Sequence, residues 1–231
     1  MNRPSFHSID LWADCERSIL QVFSESLILL SDFSDAAKHE NEITVDLYKA
    51  ILEVRFGRQK NTLADNGAVA IQTQNQPVHA LGVAENDVSL RKKPDMLWMF
   101  YDENADVPEK SQRYFAIECK RLYNDRTATE YVKEGILRFV LDEWGYGRYE
   151  KSSAMIGYIK SGDMDSHLVK VNENNQKYCL PMIMENPGIT DSDAVKQFVQ
   201  DFDDREFSPA HFTLFHLWAY IGREPKDKVG T

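Results

Sequence analysis

The sequence predicts an α/β fold, a three-layer sandwich with a central mixed β-sheet flanked by helices, and three observations carry that expectation. The first third of the chain shows apolar stripes at helical spacing. After it, short apolar runs alternate with helical stretches, the pattern of strands joined by helical crossovers. Within this alternation two aromatic-rich runs, residues 95–101 and 113–120, are joined by the charged loop DENADVPEKSQ. They read as a hairpin, which puts an antiparallel pair into the sheet and makes it mixed. With 231 residues, 42% of them apolar, the chain can bury a sizeable core. No internal repeat or low-complexity tract divides it, so one domain is expected over residues 1–231.

The elements follow in order. A first helix over residues 9–33 has Leu11, Ile19, Leu20, Phe23, Leu27 and Leu30 on one stripe and is broken by Ser31-Asp32-Phe33-Ser34-Asp35, so residues 1–35 form a helical extension packed on the rest. A second helix runs from about 42 to 56 and stops at Gly57. Its buried stripe is Ile43, Leu47, Ile51 and Val54, and Glu42, Asp46, Lys49 and Glu53 share the other face. Strands are expected at 68–72 and 78–83, then the hairpin. In its second run Phe115, Ile117 and Cys119 alternate with Tyr114, Ala116, Glu118 and Lys120, so one face is core and the other ends in two charges. A helix at 127–144, a buried strand at 154–159, strand-like runs at 177–184 and 211–220, and a helix at 192–199 complete the reading.

Charge narrows the classes of partner. There are 37 Asp and Glu against 27 Lys and Arg, a formal charge of −10, which excludes a nucleic-acid coat protein held by bulk positive charge. An anionic partner has to meet a local basic patch. Arg91-Lys92-Lys93 before Pro94-Asp95, and Lys120-Arg121 after Glu118, concentrate positive charge around one place. The three cysteines, Cys15, Cys119 and Cys179, are too scattered for a disulfide scaffold or a zinc cage, and Cys119 reads as a small buried residue. His211 and His216 have no metal-ligand spacing and read as structural. No apolar stretch is long enough for a membrane span, and the first residues lack a basic region followed by an apolar one, so a cytoplasmic protein with no membrane partner is expected.

Two charges at the end of an apolar strand require compensation. Glu118 and Lys120 leave the same strand face. Asp95 opens the neighbouring strand, and in an antiparallel pair the numbers of facing residues have a constant sum. An odd sum pairs Asp95 with Glu118 or with Lys120 and brings all three to one face, with facing Cβ atoms about 4.5–5.5 Å apart; an even sum separates them, and the loop length allows both. In the odd register two carboxylates meet an ammonium, which is the composition of a hard-cation site, best suited to Mg²⁺ with Mn²⁺ as substitute.

Pro94-Asp95 followed by Glu118-Cys119-Lys120 resembles the PD-(D/E)XK signature of the restriction-endonuclease-like nuclease superfamily. The order of elements over about residues 42–160 is similar to that superfamily's core. IECKRL, then Tyr131-x-x-x-Gly135-x-x-Arg138-Phe139 and Met155-Ile156-Gly157-Tyr158, also resembles members encoded among bacterial and phage-defence genes. The resemblance implies a Mg²⁺-dependent endonuclease, most often acting on DNA, with Asp95, Glu118 and Lys120 as catalytic residues. It further implies an acidic residue from the first core helix; Glu42 is the choice, with Glu53 close behind, so the metal ligands would be Asp95, Glu118 and Glu42. Lys93, Arg138 and Tyr131 are candidates for contact with nucleic acid, although Arg138 can instead pair with Glu134 one turn away. Tyr146, Arg148 and Tyr149 could contact nucleic acid or simply form a glycine-rich helix exit. A second copy of the chain or a partner protein of a defence system would supply specificity. The alternative is a catalytically silent, nuclease-like accessory subunit that binds a protein or nucleic acid.

Overall fold

The computed structural model of the chain describes residues 9–35, 37–57, 68–71, 93–101, 112–147, 150–186, 192–205, 209 and 211–222. Two helices open it, α1 (Ile9–Phe33) and α2 (Glu40–Gly57). Apolar residues at spacings of three and four give each a continuous stripe. On α1 the stripe is Ile19, Leu20, Phe23, Leu27 and Leu30, on α2 it is Ile43, Leu47 and Ile51, and all are buried.

Seven strands make one sheet: β1 (Ala68–Ile71), β2 (Met96–Tyr101), β3 (Gln112–Leu122), β4 (Ser152–Ile159), β5 (Met184–Glu185), β6 (Val195–Phe202) and β7 (Phe212–Tyr220). Their order is β1-β2-β3-β4-β7-β6-β5. The three central strands, β3, β4 and β7, run parallel, and the outer pairings are antiparallel. Strand alternation sorts the core into two halves. Phe115, Ile117, Cys119, Ala154, Ile156, Tyr158, Leu217 and Ala219 pack with α1 and α2. Ala116, Leu122, Met155, Ile159 and Trp218 pack under α3 (Asp125–Lys133), the short 3-10 turn Ile136–Phe139 and α4 (Met164–Lys177). β4 lies between two parallel neighbours and is buried at every position. The result is the expected three-layer α/β sandwich with a mixed sheet.

Three elements differ from expectation. The helix expected over 127–144 stops early, because a side chain at Gly135 would stand 2.4 Å from both the Tyr131 carbonyl and Met155 Cε. The chain leaves α3 there with Gly135 at φ −128° and ψ −84°, and the 3-10 turn that follows carries Arg138. Residues 177–184 are not a strand: Lys177 closes α4, and only Met184–Glu185 pairs with β6. Residues 192–199 are not a helix but lead into β6, which pairs along its length with β7. Val195, Phe198, Val199 and Phe202 sit at spacings of three, four and seven, which imitates a helical stripe, while the ladder with β7 decides the conformation. The strand expected at 78–83 lies outside the described residues. No helix among the described residues is long and apolar enough to cross a membrane.

Candidate functional site

The site is built where β3 outruns its neighbour. Met96, the first residue of β2, faces Ile117, so Glu118–Leu122 continue past the start of that strand. This is the odd register: it sets Asp95 opposite Glu118, with Lys120 on the same face. Carboxylates take the place of a strand along this stretch. The Cys119 N–H donates to Asp95 Oδ2 at 2.7 Å, and the Arg121 N–H donates to Glu40 Oε2 at 2.9 Å.

Glu40 is delivered by the first turn of α2, where an acidic side chain also complements the helix dipole. The turn is anchored to the sheet through Thr44. Its hydroxyl donates to the Glu40 carbonyl at 3.0 Å and lies 3.2 Å from the hydroxyl of Tyr158, the β4 residue paired with Arg121.

Glu118 is fully buried. Its Oε1 accepts from Lys120 Nζ at 2.7 Å and from Arg138 Nη1, while its Oε2 is buried without a hydrogen bond among the described residues. Lys120 uses all three of its protons, donating to Glu118, to the Cys119 carbonyl at 3.0 Å and to Glu40 Oε1 at 3.4 Å. Burial, and next the charge of Asp95, push the Glu118 carboxyl up to about 7 against the pull of Lys120 and Arg138. For Lys120 burial favours the neutral amine, but Glu118, Glu40 and Asp95 outweigh it and hold the pKa above the ordinary lysine value. Lys120 is therefore an ammonium at neutral pH, fit to donate and to stabilise negative charge, and unfit to take up a proton.

The donor chemistry suits a hard cation. Glu118 Oε2 is buried and unbonded, and among the described residues no hydrogen bond reaches Asp95 Oδ1 on the facing position. Two carboxylate oxygens completed by water and substrate phosphate are a usual Mg²⁺ environment. Among the described residues no group of three or more His, Cys, Asp and Glu gathers around one point, so the protein's share would be these two oxygens.

No protein-family model, curated protein or solved structure matches the chain.

The remaining expected residues divide. Asp95, Glu118 and Lys120 come together, and Arg138 joins them. Its guanidinium pairs with Glu118, reaches Glu134 Oε2 at 3.3 Å and lies 4.4 Å over the Trp144 ring, so both readings of Arg138 hold at once. Glu42 does not join: it is exposed and turns back to accept the His39 N–H at 2.8 Å, capping the helix start. Glu53 is exposed further along α2. The acid that reaches the site is Glu40, two residues earlier and about 200° around the helix from Glu42. Tyr131 is corrected outright. It is wholly buried, its hydroxyl accepts from Trp218 Nε1 at 3.0 Å and so donates to His216 Nδ1 at 2.9 Å, bracing α3 against β7 where no nucleic acid reaches. Burial lowers His216 to about 3, which keeps it neutral. Lys93 is half-buried just ahead of the buried Pro94, and Arg91, Lys92, Arg148 and Tyr149 lie outside the described residues.

Glu40 and Glu42 can be told apart directly. Glu40→Gln weakens the hold on Lys120 and Arg121 and is expected to lower Mg²⁺-dependent cleavage about 10-fold. Glu42→Gln is expected to leave cleavage within about twofold and to cost at most about 1 kcal/mol of stability as a weakened cap. Parallel nuclease assays and thermal melts check both.

Proposed function

We propose that the chain is a Mg²⁺-dependent endonuclease of the PD-(D/E)XK, restriction-endonuclease-like kind, hydrolysing phosphodiester bonds in DNA. The observation that carries this reading is the odd register of β2 and β3, which brings Asp95, Glu118 and Lys120 to one face at the end of a strand. The three-layer sandwich with its mixed sheet is consistent with such a core.

Asp95 and Glu118 would hold the ion, which when bound lowers the pKa of water and offsets charge on the scissile phosphate. Lys120, kept protonated by its acidic neighbours, orients the attacking water and stabilises the charge that gathers on the phosphate oxygens. Glu40 and the Cys119 carbonyl fix where the ammonium points. Arg138 reaches the same carboxylate from the opposite side and adds a second positive charge beside the reacting group.

One feature favours the accessory-subunit reading. Glu118 is already paired with two cations, and Asp95 and Glu40 already bond to backbone, as a purely structural polar cluster would be. Cleavage assays decide between the two. The purified chain is incubated with supercoiled plasmid, linear duplex, single-stranded DNA and RNA in Mg²⁺, Mn²⁺ or EDTA. DNA cleavage that requires the metal and disappears in Asp95→Ala is expected. Intact substrates under both metals, or activity unchanged in Asp95→Ala, would overturn the nuclease reading.

A further inference from the structure

Around Glu118 three buried polar atoms make no hydrogen bond among the described residues: Glu118 Oε2, Arg138 Nε and the Tyr146 hydroxyl. Buried polar groups in folded proteins are nearly always paired, so three in one place point to a ligand. Two of the three are donors held in one small unit. The Tyr146 N–H donates to the Arg138 carbonyl at 3.1 Å and closes the intervening loop. The Tyr146 ring, 4% exposed, packs edge-on against Phe139 and Trp144, and the same Trp144 face carries the Arg138 guanidinium. Arg138 Nη1 and Nη2 are spent on Glu118 and Glu134, which leaves Nε as its remaining unbonded side. The phenol senses the charges of Glu118, Arg138 and Asp95, which sets its hydroxyl on the side of the carboxylates.

A neighbouring N–H and O–H with no acceptor ask for an oxygen that accepts from both, and a charged oxygen satisfies them better than a neutral one. Resting on the phosphodiester reading above, we propose that Arg138 Nε and the Tyr146 hydroxyl form a subsite for one non-bridging oxygen of the bound phosphodiester. Tyr146 then acts through its hydroxyl, not by stacking on a base. Arg138 holds Glu118 with one edge and the substrate with another, so it ties the position of the phosphate to that of the carboxylate.

The test uses Tyr146→Phe, which removes only a hydroxyl that has no partner to lose within the described residues. Its Tm is expected to stay level or rise. Its affinity for a duplex DNA oligomer, measured by fluorescence anisotropy with Ca²⁺ replacing Mg²⁺, is expected to fall about 10- to 100-fold, with a parallel loss for inorganic phosphate. Arg138→Lys keeps the charge, lacks Nε and should show the same loss, which covers the case of a Tyr146 variant that fails to fold. Affinity unchanged in Tyr146→Phe, with Tm level or lowered, would overturn the subsite, as would a parent chain that binds neither probe. Binding that Tyr146→Phe weakens, from a parent that cleaves nothing in Mg²⁺, would keep the subsite and remove only the nuclease reading.

Discussion

Lys120→Ala is expected to lower Mg²⁺-dependent DNA cleavage by about 10²- to 10³-fold, the usual cost of removing a preorganised charge from a site where negative charge develops. The same substitution strips the fully buried Glu118 of one of its two cations, and breaking such a pair commonly costs about 3–5 kcal/mol. A loss of activity in this variant alone therefore mixes chemistry with folding. Lys120→Arg separates them. It keeps a positive charge between Glu118 and Glu40 but replaces a compact ammonium with a planar fork that cannot reproduce its three contacts. A melting temperature near that of the parent together with a rate reduced at least about 10-fold is the expected outcome. Full activity in either variant would remove Lys120 from the site.

Without added metal, stability is expected to fall as pH rises from about 4.5 to about 7. The cause is Glu118, whose carboxyl is pushed from an ordinary 4.5 up to about 7 in the folded protein. A raised carboxyl pKa means the folded state binds its proton more tightly than the unfolded state does. The contribution is fully present below the unfolded pKa and is lost as pH climbs through the folded one. Over that window the change is about 3 kcal/mol, and the group is wholly buried, so solvent does not screen it away. Glu118→Gln should flatten this part of the curve, as read from urea denaturation across pH. Mg²⁺ binding needs the ionised carboxylate, so the stabilisation it brings should grow with pH through the same range. A parent curve that rises between pH 4.5 and 7 relative to the Gln variant would contradict this account of Glu118.

Much of the site was legible because strand periodicity is simple. Alternation alone put Glu118 and Lys120 on one face and Cys119 on the other, and it reduced the position of Asp95 to a choice of parity that the hairpin then fixed. The helical stripes of α1 and α2 were equally readable, since wide apolar faces leave little ambiguity. What escaped has definite causes. α4 carries Asn172, Asn174 and Asn175 on buried positions, so no apolar stripe announces it. Asn172 is accommodated by reciprocal hydrogen bonds with the backbone of Ile183, a tertiary fact that no local pattern contains. β6 was disguised by the spacing of its apolar residues. Glu40 was passed over because the apolar stripe of α2 begins at Ile43, whereas the helix itself begins a turn earlier. Tyr131 shares a helical face with Arg138 only if the helix continues, and Gly135 ends it between them.

The overhang of β3 has one more consequence. Unclaimed amide hydrogens at a sheet border invite a strand from another molecule, and here Asp95 and Glu40 occupy them with negatively charged side chains. The acids that would serve catalysis thus also keep copies of the chain from zipping together at the mouth of the site. Silencing the enzyme by deleting either one would open an adhesive seam, so solubility and chemistry constrain the same two positions.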